Sequence, residues 1–190
     1  HDHADHCGGA EKILTDFRVG TLVIPDAGDW DRIVEVAMEN RTRVLRYTPE
    51  DAGMTLSAGE ITCIVLGPAA FVEDNGNNNS LIVRAELWVD ENVCSVLLTG
   101  DAEAEEEAAV LAAPYAAALR ADILKIGHHG SASSTSLPFF YMVDPRVCTI
   151  SCGNGNEYGH PHNETIALLE SAGVPYCRTD LEGTIALDFD

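Results

Sequence analysis

The chain begins with HDHADHCGG, residues 1–9, a stretch that places three histidines and two aspartates within its first six positions. Purification tags are uniform runs of histidine, whereas here the histidines alternate with other residues and a helical pattern follows. Imidazole and carboxylate side chains together suit Zn²⁺, Mn²⁺ or iron, while Mg²⁺ and Ca²⁺ prefer oxygen ligands. Positions 1 and 3 alternate as on an extended turn and positions 5 and 6 enter a helix. The stretch can therefore offer one ligand pair to each of two adjacent metal ions.

All seven histidines of the chain lie in three short segments. Apart from the opening stretch, these segments are GHHGS, residues 127–131, and GHPH, residues 159–162. Each lies at the end of a predicted strand or the start of a predicted helix, where side chains from distant parts of a chain converge. A lone histidine is usually a core or surface residue with a satisfied hydrogen bond. Seven histidines confined to three loop segments beside glycines instead favour a shared site.

A further carboxylate, Asp101, follows the strongly apolar strand in LLTGD, residues 97–101. An aspartate at the end of such a strand is costly unless it binds something or caps the next helix. Glu103 and Glu105 follow closely, which is typical of a helix start. Two interpretations therefore stay open for Asp101, a ligand or a helix N-cap.

The hydrophobic periodicity predicts paired strands followed by strands that alternate with helices. Residues 72–80 are expected to form a loop and residues 90–92 a hairpin turn. This order indicates an α/β class, or α+β with mixed sheets, with helices packed outside the sheet. Strands are predicted over about 20–26, 43–48, 54–57, 60–66, 80–89, 93–100, 122–127, 146–151, 175–179 and 183–190, and helices over about 10–17, 29–42, 102–119, 137–143 and 163–173.

The composition of the 190-residue chain indicates one globular domain, since 46% of its residues are hydrophobic and its mean hydropathy is near zero. The formal net charge of −20 argues against nucleic-acid binding through broad basic patches. Part of that charge lies in DAEAEEE, residues 101–107, whose carboxylates are expected mostly to face water at a helix start. The six cysteines include no Cys-x-x-Cys pair, so they are expected to be small buried residues first and disulfides second.

Taken together, HDHADH, LLTGD and GHHGS resemble the metallo-β-lactamase superfamily, whose hallmark is His-x-His-x-Asp-His between a strand and a helix. Four longer segments resemble, more narrowly, the extracytoplasmic domain of ComEC competence proteins, a family implicated in taking up transforming DNA. These segments are NNNSLIVRAELWVDENVCSVLLTGDAEAEEE (77–107), ADILKIGHHGSASSTS (121–136), PRVCTISCGNGNEYGHPH (145–162) and YCRTDLEGTIAL (176–187). The resemblance implies an αββα sandwich of mixed sheets. Residues 1–190 would be the C-terminal part of that domain, lacking its N-terminal strands.

The resemblance also implies a site with two divalent metal ions, Zn²⁺ or Mn²⁺. It assigns His1 and His3 to the first ion, Asp5 and His6 to the second, Asp101 to a bridging position and His129 to the second ion, with His128 beside them as a substrate contact or a support. The superfamily's separate metal-binding histidine between the opening motif and TGD has no counterpart here. Asn77, Asn78 and Asn79 occupy that region instead, so one ion is expected to be bound weakly.

Further roles follow from the same resemblance and from the chemistry of phosphodiester cleavage. Two metal ions about 3.5–4 Å apart activate water at neutral pH and stabilise charge on a phosphoryl group. Asp5 or Asp101 would orient the nucleophile, and His160 would contact phosphate or transfer a proton, unless it is only a packing residue. Hydrogen bonds to phosphate are expected from polar residues that would otherwise be plain loop, namely Ser131, Ser133, Ser134, Asn154 and Asn156.

The expected function is a metal-dependent hydrolase, a nuclease-type domain that cuts the DNA strand that is not imported. The alternatives are a hydrolase of small or cell-surface phosphoesters, similar to phosphorylcholine esterases, and a non-catalytic domain that gates DNA. Single-stranded DNA is the expected partner of a bacterial protein embedded in the inner or plasma membrane through other domains, with this domain extracytoplasmic. An unpaired apolar sheet edge left by the missing strands also predicts a homodimer of this chain.

Overall fold

The structure is a computed structural model that describes residues 1–89 and 92–188. Within this part of the chain the strands form two sheets. The smaller sheet pairs β1 (Thr21–Pro25) with β2 (Arg43–Tyr47) in parallel. The larger sheet has seven strands in chain order, namely β3 (Met54–Ala58), β4 (Ile61–Gly67), β5 (Ile82–Val89), β6 (Asn92–Leu98), β7 (Ile123–Lys125), β8 (Val147–Ile150) and β9 (Tyr176–Arg178).

Strand direction changes halfway across the larger sheet. Strands β3 to β6 are antiparallel neighbours, whereas β6 to β9 run parallel to one another. Parallel neighbours need crossover connections, and helices supply them here. The helices are α1 (Ala4–Cys7), α2 (Ala10–Asp16), α3 (Asp31–Glu39), α4 (Ala104–Ala112), α5 (Leu137–Val143), α6 (Asn163–Ala172) and α7 (Thr179–Glu182).

The main core lies between the larger sheet and the helices α4, α5 and α6. Leu97 and Leu124 from β6 and β7 pack in one cluster with Phe139 of α5 and Leu169 of α6, and all four are fully buried. A second, smaller core joins α2 and α3 to the smaller sheet. Because β6, β7 and β8 are parallel, their carboxyl ends lie at one edge, and the segments containing Asp101, GHHG and Ser151 begin there.

Most predicted elements are present, and three expectations need comment. The helix predicted over 102–119 ends at Ala112, two residues before Pro114, whose ring is incompatible with a helix interior. A short 3₁₀ helix, Ala116–Leu119, follows it. The strand predicted over 183–190 is absent from residues 183–188, and its last two residues lie outside the described chain, as do residues 90 and 91 of the predicted hairpin turn.

The expectation that the acidic run 101–107 mostly faces water is wrong for three of its carboxylates. Asp101, Glu106 and Glu107 are 3%, 3% and 0% exposed. Glu107 accepts hydrogen bonds from the backbone N–H groups of Thr135 at 2.5 Å and Ser136 at 2.8 Å, which fixes the loop after GHHGS. Glu106 accepts one from Ala69 N–H at 2.6 Å, and burial raises the pKa of Glu106 to about 7.

The cysteines were expected to be small buried residues before disulfides, and only Cys148 is fully buried. All six belong to the described residues and are free, with Cys148 buried and the others half-buried. Within residues 1–89 and 92–188, no helix combines the length and the apolar character needed to cross a membrane.

Candidate metal centre

The opening stretch delivers its side chains from a single turn of helix. His3 is the N-cap residue of α1, and its carbonyl accepts hydrogen bonds from the N–H groups of His6 and Cys7, each at 3.0 Å. His1 and His3 therefore project from the extended entry, while Asp5 and His6 project from the turn itself. The extended entry and the helical turn match the prediction from the spacing, and the two ligand pairs stay a prediction.

Four ligand groups from three distant segments converge on one point. Ligand atoms of Asp5, His6, Asp101 and His129 all lie within 4.8 Å of one another. The Nε2 atom of His6 is 3.1 Å from Asp101 Oδ2 and 3.2 Å from His129 Nε2. The latter atom is in turn 3.3 Å from Asp5 Oδ2. Two carboxylates and two imidazoles at such distances form a candidate site for a divalent metal ion.

The first histidine approaches the same carboxylate oxygen as His6, and the rings of His1 and His6 are 4.2 Å apart. His1 Nε2 is 3.8 Å from Asp101 Oδ2, and the rings of His1 and His3 are 4.4 Å apart. The Ser80 hydroxyl is 3.0 Å from His1 Nδ1 and also accepts the N–H of Asp101 at 3.0 Å. Ser80 thereby orients both groups and leaves His1 Nε2 directed toward the carboxylate, as outer partners of metal-binding histidines commonly do.

Asp101 is the central group of the cluster and does not cap the following helix. The N-cap residue of α4 is Glu103, so the N-cap interpretation of Asp101 is not supported. Burial acts to raise the pKa of Asp101, but a hydrogen bond from His6 and the nearby His129 and His128 outweigh it, and the pKa lies below its ordinary value. Asp101 is therefore an ionised carboxylate surrounded by imidazoles.

The cluster contains polar atoms that only an added group would satisfy. His1 Nε2 and Asp101 Oδ1 are buried, and neither has a hydrogen-bond partner among the described residues. Buried polar atoms of native proteins are nearly always paired, so unpaired atoms call for an explanation. A divalent ion in contact with the imidazole and the carboxylate would satisfy both atoms, and the donor set fits Zn²⁺, Mn²⁺ or iron.

The two histidines of GHHGS take different positions through an unusual backbone. His128 and His129 both have left-handed conformations, with φ of 47° and 54°. Such conformations cost non-glycine residues about 1–3 kcal/mol each and are concentrated at functional sites. His129 Nδ1 is 2.7 Å from the Ser151 carbonyl, which turns Nε2 into the cluster. His128 instead has Nδ1 3.3 Å from Glu103 Oε1 and Nε2 3.8 Å from Asp101 Oδ2.

A cavity of about 720 Å³ opens beside the cluster. Its lining residues are His3, Ala4, Asp5, Asn77, Asp101, His128, His129, Ser151, Cys152, Gly153, Asn156, Tyr158 and His160. The predicted residues Asp5, Asp101, His128, His129 and His160 thus lie around one space. None of the described lining residues is lysine or arginine.

Of the five predicted phosphate contacts, four are not among the described residues that line the cavity, namely Ser131, Ser133, Ser134 and Asn154. Ser131 is 7% exposed and directs its hydroxyl to that of Ser133, 3.0 Å away. Asn154 is exposed and donates its amide to the Asp180 carbonyl at 3.1 Å. Hydrogen bonds occupy both side chains, that of Ser131 within its own loop and that of Asn154 with the backbone of α7. Asn156, proposed with them from the sequence, does line the cavity.

His160 lies within a column of rings at the cavity wall. Its imidazole is nearly parallel to that of His129, at 6.4 Å and 17°, and to the ring of Tyr158, at 5.8 Å and 24°. Burial and the neighbouring His162 lower the pKa of His160. His162 precedes α6 as its N-cap residue and accepts the Ala132 N–H at 3.0 Å, so it is half-buried rather than exposed.

Two residues of the site had no role in the interpretation of the sequence. Glu103 holds His128 and also accepts hydrogen bonds from Asn75 at 2.8 Å and Ser133 at 2.9 Å. Tyr158, 72% exposed, presents its ring to the cavity. The signal for Tyr158 is its place two residues before His160 in YGHPH. Glu103 resembles an ordinary helix-start residue and gives no comparable signal.

Comparison with known proteins gives relatives along the whole chain. ComE operon protein 3 of Bacillus subtilis (strain 168) is 34% identical over 190 residues, which covers 97% of this chain and 23% of the relative. Recombination protein 2 of Haemophilus influenzae is 30% identical and covers all of this chain and 21% of the relative. The chain is ComEC-like from end to end. Competence protein ComA of Neisseria gonorrhoeae is 32% identical over 114 residues, 60% of this chain and 16% of the relative.

The ComEC-like chain spans less than a quarter of the length of these relatives. No protein-family model matches it. Among solved structures, CmlA, a diiron β-hydroxylase from Streptomyces venezuelae, matches with a TM-score of 0.61 and 15% identity, over 94% of this chain and 42% of CmlA. CmlA has a metallo-β-lactamase fold, so the comparison shows that fold for the ComEC-like chain and nothing about its reaction.

Proposed function

We propose that this chain is the metal-dependent hydrolase domain of a ComEC-like DNA-uptake protein and that it cleaves phosphodiester bonds of the strand that is not imported. The observation that carries the proposal is the convergence of two carboxylates and two imidazoles beside a cavity of about 720 Å³, in a chain similar from end to end to competence proteins. The same proposal places this domain outside the inner or plasma membrane of a bacterium, in a protein anchored there by other domains. Its proposed partner is single-stranded DNA. The homodimer stays a prediction.

The chemistry assigns a separate task to each group. Two divalent ions, Zn²⁺ or Mn²⁺, supply activation of water at neutral pH and stabilisation of phosphoryl charge. Asp101, buried between the histidines, would hold the ions. Asp5 has a side chain that is 62% exposed and lines the cavity, where it can orient an attacking water. His128 and His160 face the same space and are proposed to contact phosphate oxygens or, for His160, to carry a proton to the leaving oxygen.

Tyr158 is proposed to hold a nucleobase next to the cleaved bond. Its exposed ring continues the stack formed by His129 and His160 away from the metal centre. Stacking on an aromatic ring contributes about 1–3 kcal/mol per base and tolerates any sequence. The described lining residues include no lysine or arginine that would attract a strand by charge. Stacking on Tyr158 would supply affinity in their place.

A Tyr158→Ala substitution is therefore expected to raise the KM for a single-stranded oligonucleotide roughly tenfold. The KM for an abasic oligonucleotide of the same length should stay unchanged, because it offers no base to stack. Tyr158→Phe should behave as the unaltered chain, and so should Tyr141→Ala, which removes a ring exposed on α5. Equal losses on both substrates would show that Tyr158 supports the loop and does not hold a base.

A second candidate is hydrolysis of a small or cell-surface phosphoester. The net charge of −20 and the lack of lysine and arginine among the described cavity residues favour it. A two-metal centre binds a single phosphate well, but an extended strand normally also needs a basic groove.

The deciding experiment is cleavage of labelled single-stranded DNA with Mn²⁺ or Zn²⁺. We expect cutting that stops with a chelator and falls at least about 100-fold in Asp101→Asn, since loss of even an outer partner of a metal site costs 10–100-fold. Asp144→Asn is the matched control, because Asp144 pairs with Arg120 at the surface. Hydrolysis of p-nitrophenylphosphorylcholine alone would favour the second candidate. DNA binding with no hydrolysis of either substrate would contradict both and favour a domain that gates DNA.

A further inference from the structure

Residues 75–79, which lie beside His3, include four asparagines. The side-chain oxygens of three of them accept backbone N–H groups. The side-chain oxygens of Asn75, Asn78 and Asn79 accept the N–H groups of Asn77, Glu103 and Val72 at 3.1, 2.8 and 2.8 Å. These bonds fold residues 72–80 into a compact loop. They also mean that three asparagines have a structural explanation.

Asn77 differs from the other three. Its Oδ1 atom is buried, yet it has no hydrogen-bond partner in the part of the chain that the structure describes. Its Nδ2 atom lies 3.4 Å from Glu103 Oε1, to which it donates. The amide nitrogen thus has a partner in Glu103, and the oxygen is the polar atom of Asn77 left for another group. Asn77 lines the cavity together with His3 and Asp101.

The loop also runs directly against the first ligand pair. A methyl group built on Gly76 would lie 3.4 Å from His3 Nε2, which places the backbone next to Asn77 in contact with that imidazole. His1, His3 and Asp101 supply three ligands on this side of the centre. Four ligands are usual for Zn²⁺, and Mn²⁺ takes more.

We infer that Asn77 Oδ1 is a ligand of the metal ion held by His1 and His3, and that it biases this site toward Mn²⁺ or Fe²⁺ over Zn²⁺. The inference rests on the two-metal centre of the proposed function. An amide oxygen is a neutral, hard donor. With Asn77 the site has two imidazoles, a shared carboxylate and an amide oxygen. An oxygen thus stands where a third imidazole would favour Zn²⁺, and oxygen ligands suit Mn²⁺.

The test measures bound metal, not activity. The chain and its variants are dialysed against Mn²⁺, Zn²⁺ or both, and bound ions are counted by mass spectrometry. The unaltered chain should bind two ions. Asn77→Ala should lose one Mn²⁺ or bind it at least about tenfold more weakly. Asn77→His should bind two ions and shift the competition at least about tenfold toward Zn²⁺, because imidazole suits Zn²⁺.

Asn154→Ala is the matched control, since it removes an exposed asparagine side chain that is not among the described residues lining the cavity. It should keep both ions, with circular dichroism confirming that each variant is folded. Two Mn²⁺ ions at unaltered affinity in Asn77→Ala, or an unchanged preference in Asn77→His, would overturn the assignment and leave the proposed function standing. Fewer than two ions in the unaltered chain would overturn the assignment together with the two-metal centre.

Discussion

Asp101 and Glu106 lie in the same acidic run and are equally buried, each 3% exposed, but they face different partners. Asp101 faces imidazoles from the opening stretch and from GHHGS, and its pKa lies below the ordinary value. Glu106 faces the backbone of residues 69 and 70, and its pKa is raised to about 7. Equal burial thus yields a carboxylate that is ionised at neutral pH in one place and one that is about half protonated in the other, because neighbouring charge decides the outcome.

The difference separates carboxylates that bind a cation from carboxylates that hold the fold. Glu107 belongs with Glu106, since it ties the loop at Thr135 and Ser136 to α4. That loop directly follows GHHGS and keeps His128 and His129 in place at the edge of the sheet. In the proposed centre the acidic run would therefore contribute twice, through ligation by Asp101 and through positioning by Glu107.

The largest expected effect is on stabilisation by metal. Ligand present at 100 times its dissociation constant stabilises a folded protein by about 2.7 kcal/mol per site. In Asp101→Asn most of the stabilisation by metal should be lost at both sites, roughly 5 kcal/mol of the free energy of unfolding. Urea unfolding with and without Mn²⁺ measures it. Asp144→Asn should keep it. An unreduced metal effect in Asp101→Asn would remove Asp101 from the centre.

The next largest effect is on the free energy of unfolding in the absence of metal. Glu107→Ala leaves the N–H groups of Thr135 and Ser136 without their acceptor, and a buried unsatisfied group costs about 1–3 kcal/mol. We expect a loss of about 3 kcal/mol in urea unfolding. Glu105→Ala, at an exposed position of the same helix, should change the stability by less than about 0.5 kcal/mol. Similar losses in both variants would contradict the structural role of Glu107.

The smallest effect concerns pH. The folded pKa of Glu106, about 7, lies above its ordinary value of 4.5, so the folded state holds a proton that the unfolded state releases. Its contribution is complete below pH 4.5 and is lost as the pH rises through 7. Glu106→Gln should therefore match the unaltered chain near pH 4.5 and exceed it at pH 6 by on the order of 2 kcal/mol, since pH 6 lies about 1.5 units above the ordinary pKa and each unit is about 1.4 kcal/mol. Glu105→Gln is the control, and a variant that is less stable at pH 6 would contradict this account.

Strand and helix positions were readily predicted where hydrophobic periodicity was strong, as in β5, β6 and α6. The end of α4 near Pro114 and the missing strand over 183–188 were not predicted. Apolar residues such as Ile185 and Leu187 fit a strand pattern, but whether a neighbour pairs with them depends on distant parts of the chain.

The site, too, was predictable only as far as it depends on local sequence and not on distant contacts. Histidines confined to three segments indicated convergence, but spacing alone could not separate His128 from His129, which differ in the partners of their Nδ1 atoms. The buried positions of Glu106 and Glu107 depend on contacts with residues 69 and 135–136, about 30 or more positions away. A helix-start carboxylate looks the same in a sequence whether it faces water or a loop.

The central claim is a two-metal centre around Asp101, and anomalous X-ray diffraction of crystals grown with Mn²⁺ tests it most directly. The account predicts two anomalous peaks about 3.5–4 Å apart. One should lie among Asp5, His6 and His129, and the other beside His1, His3 and Asn77, with Asp101 between them. A single peak, or peaks away from Asp101, would contradict it.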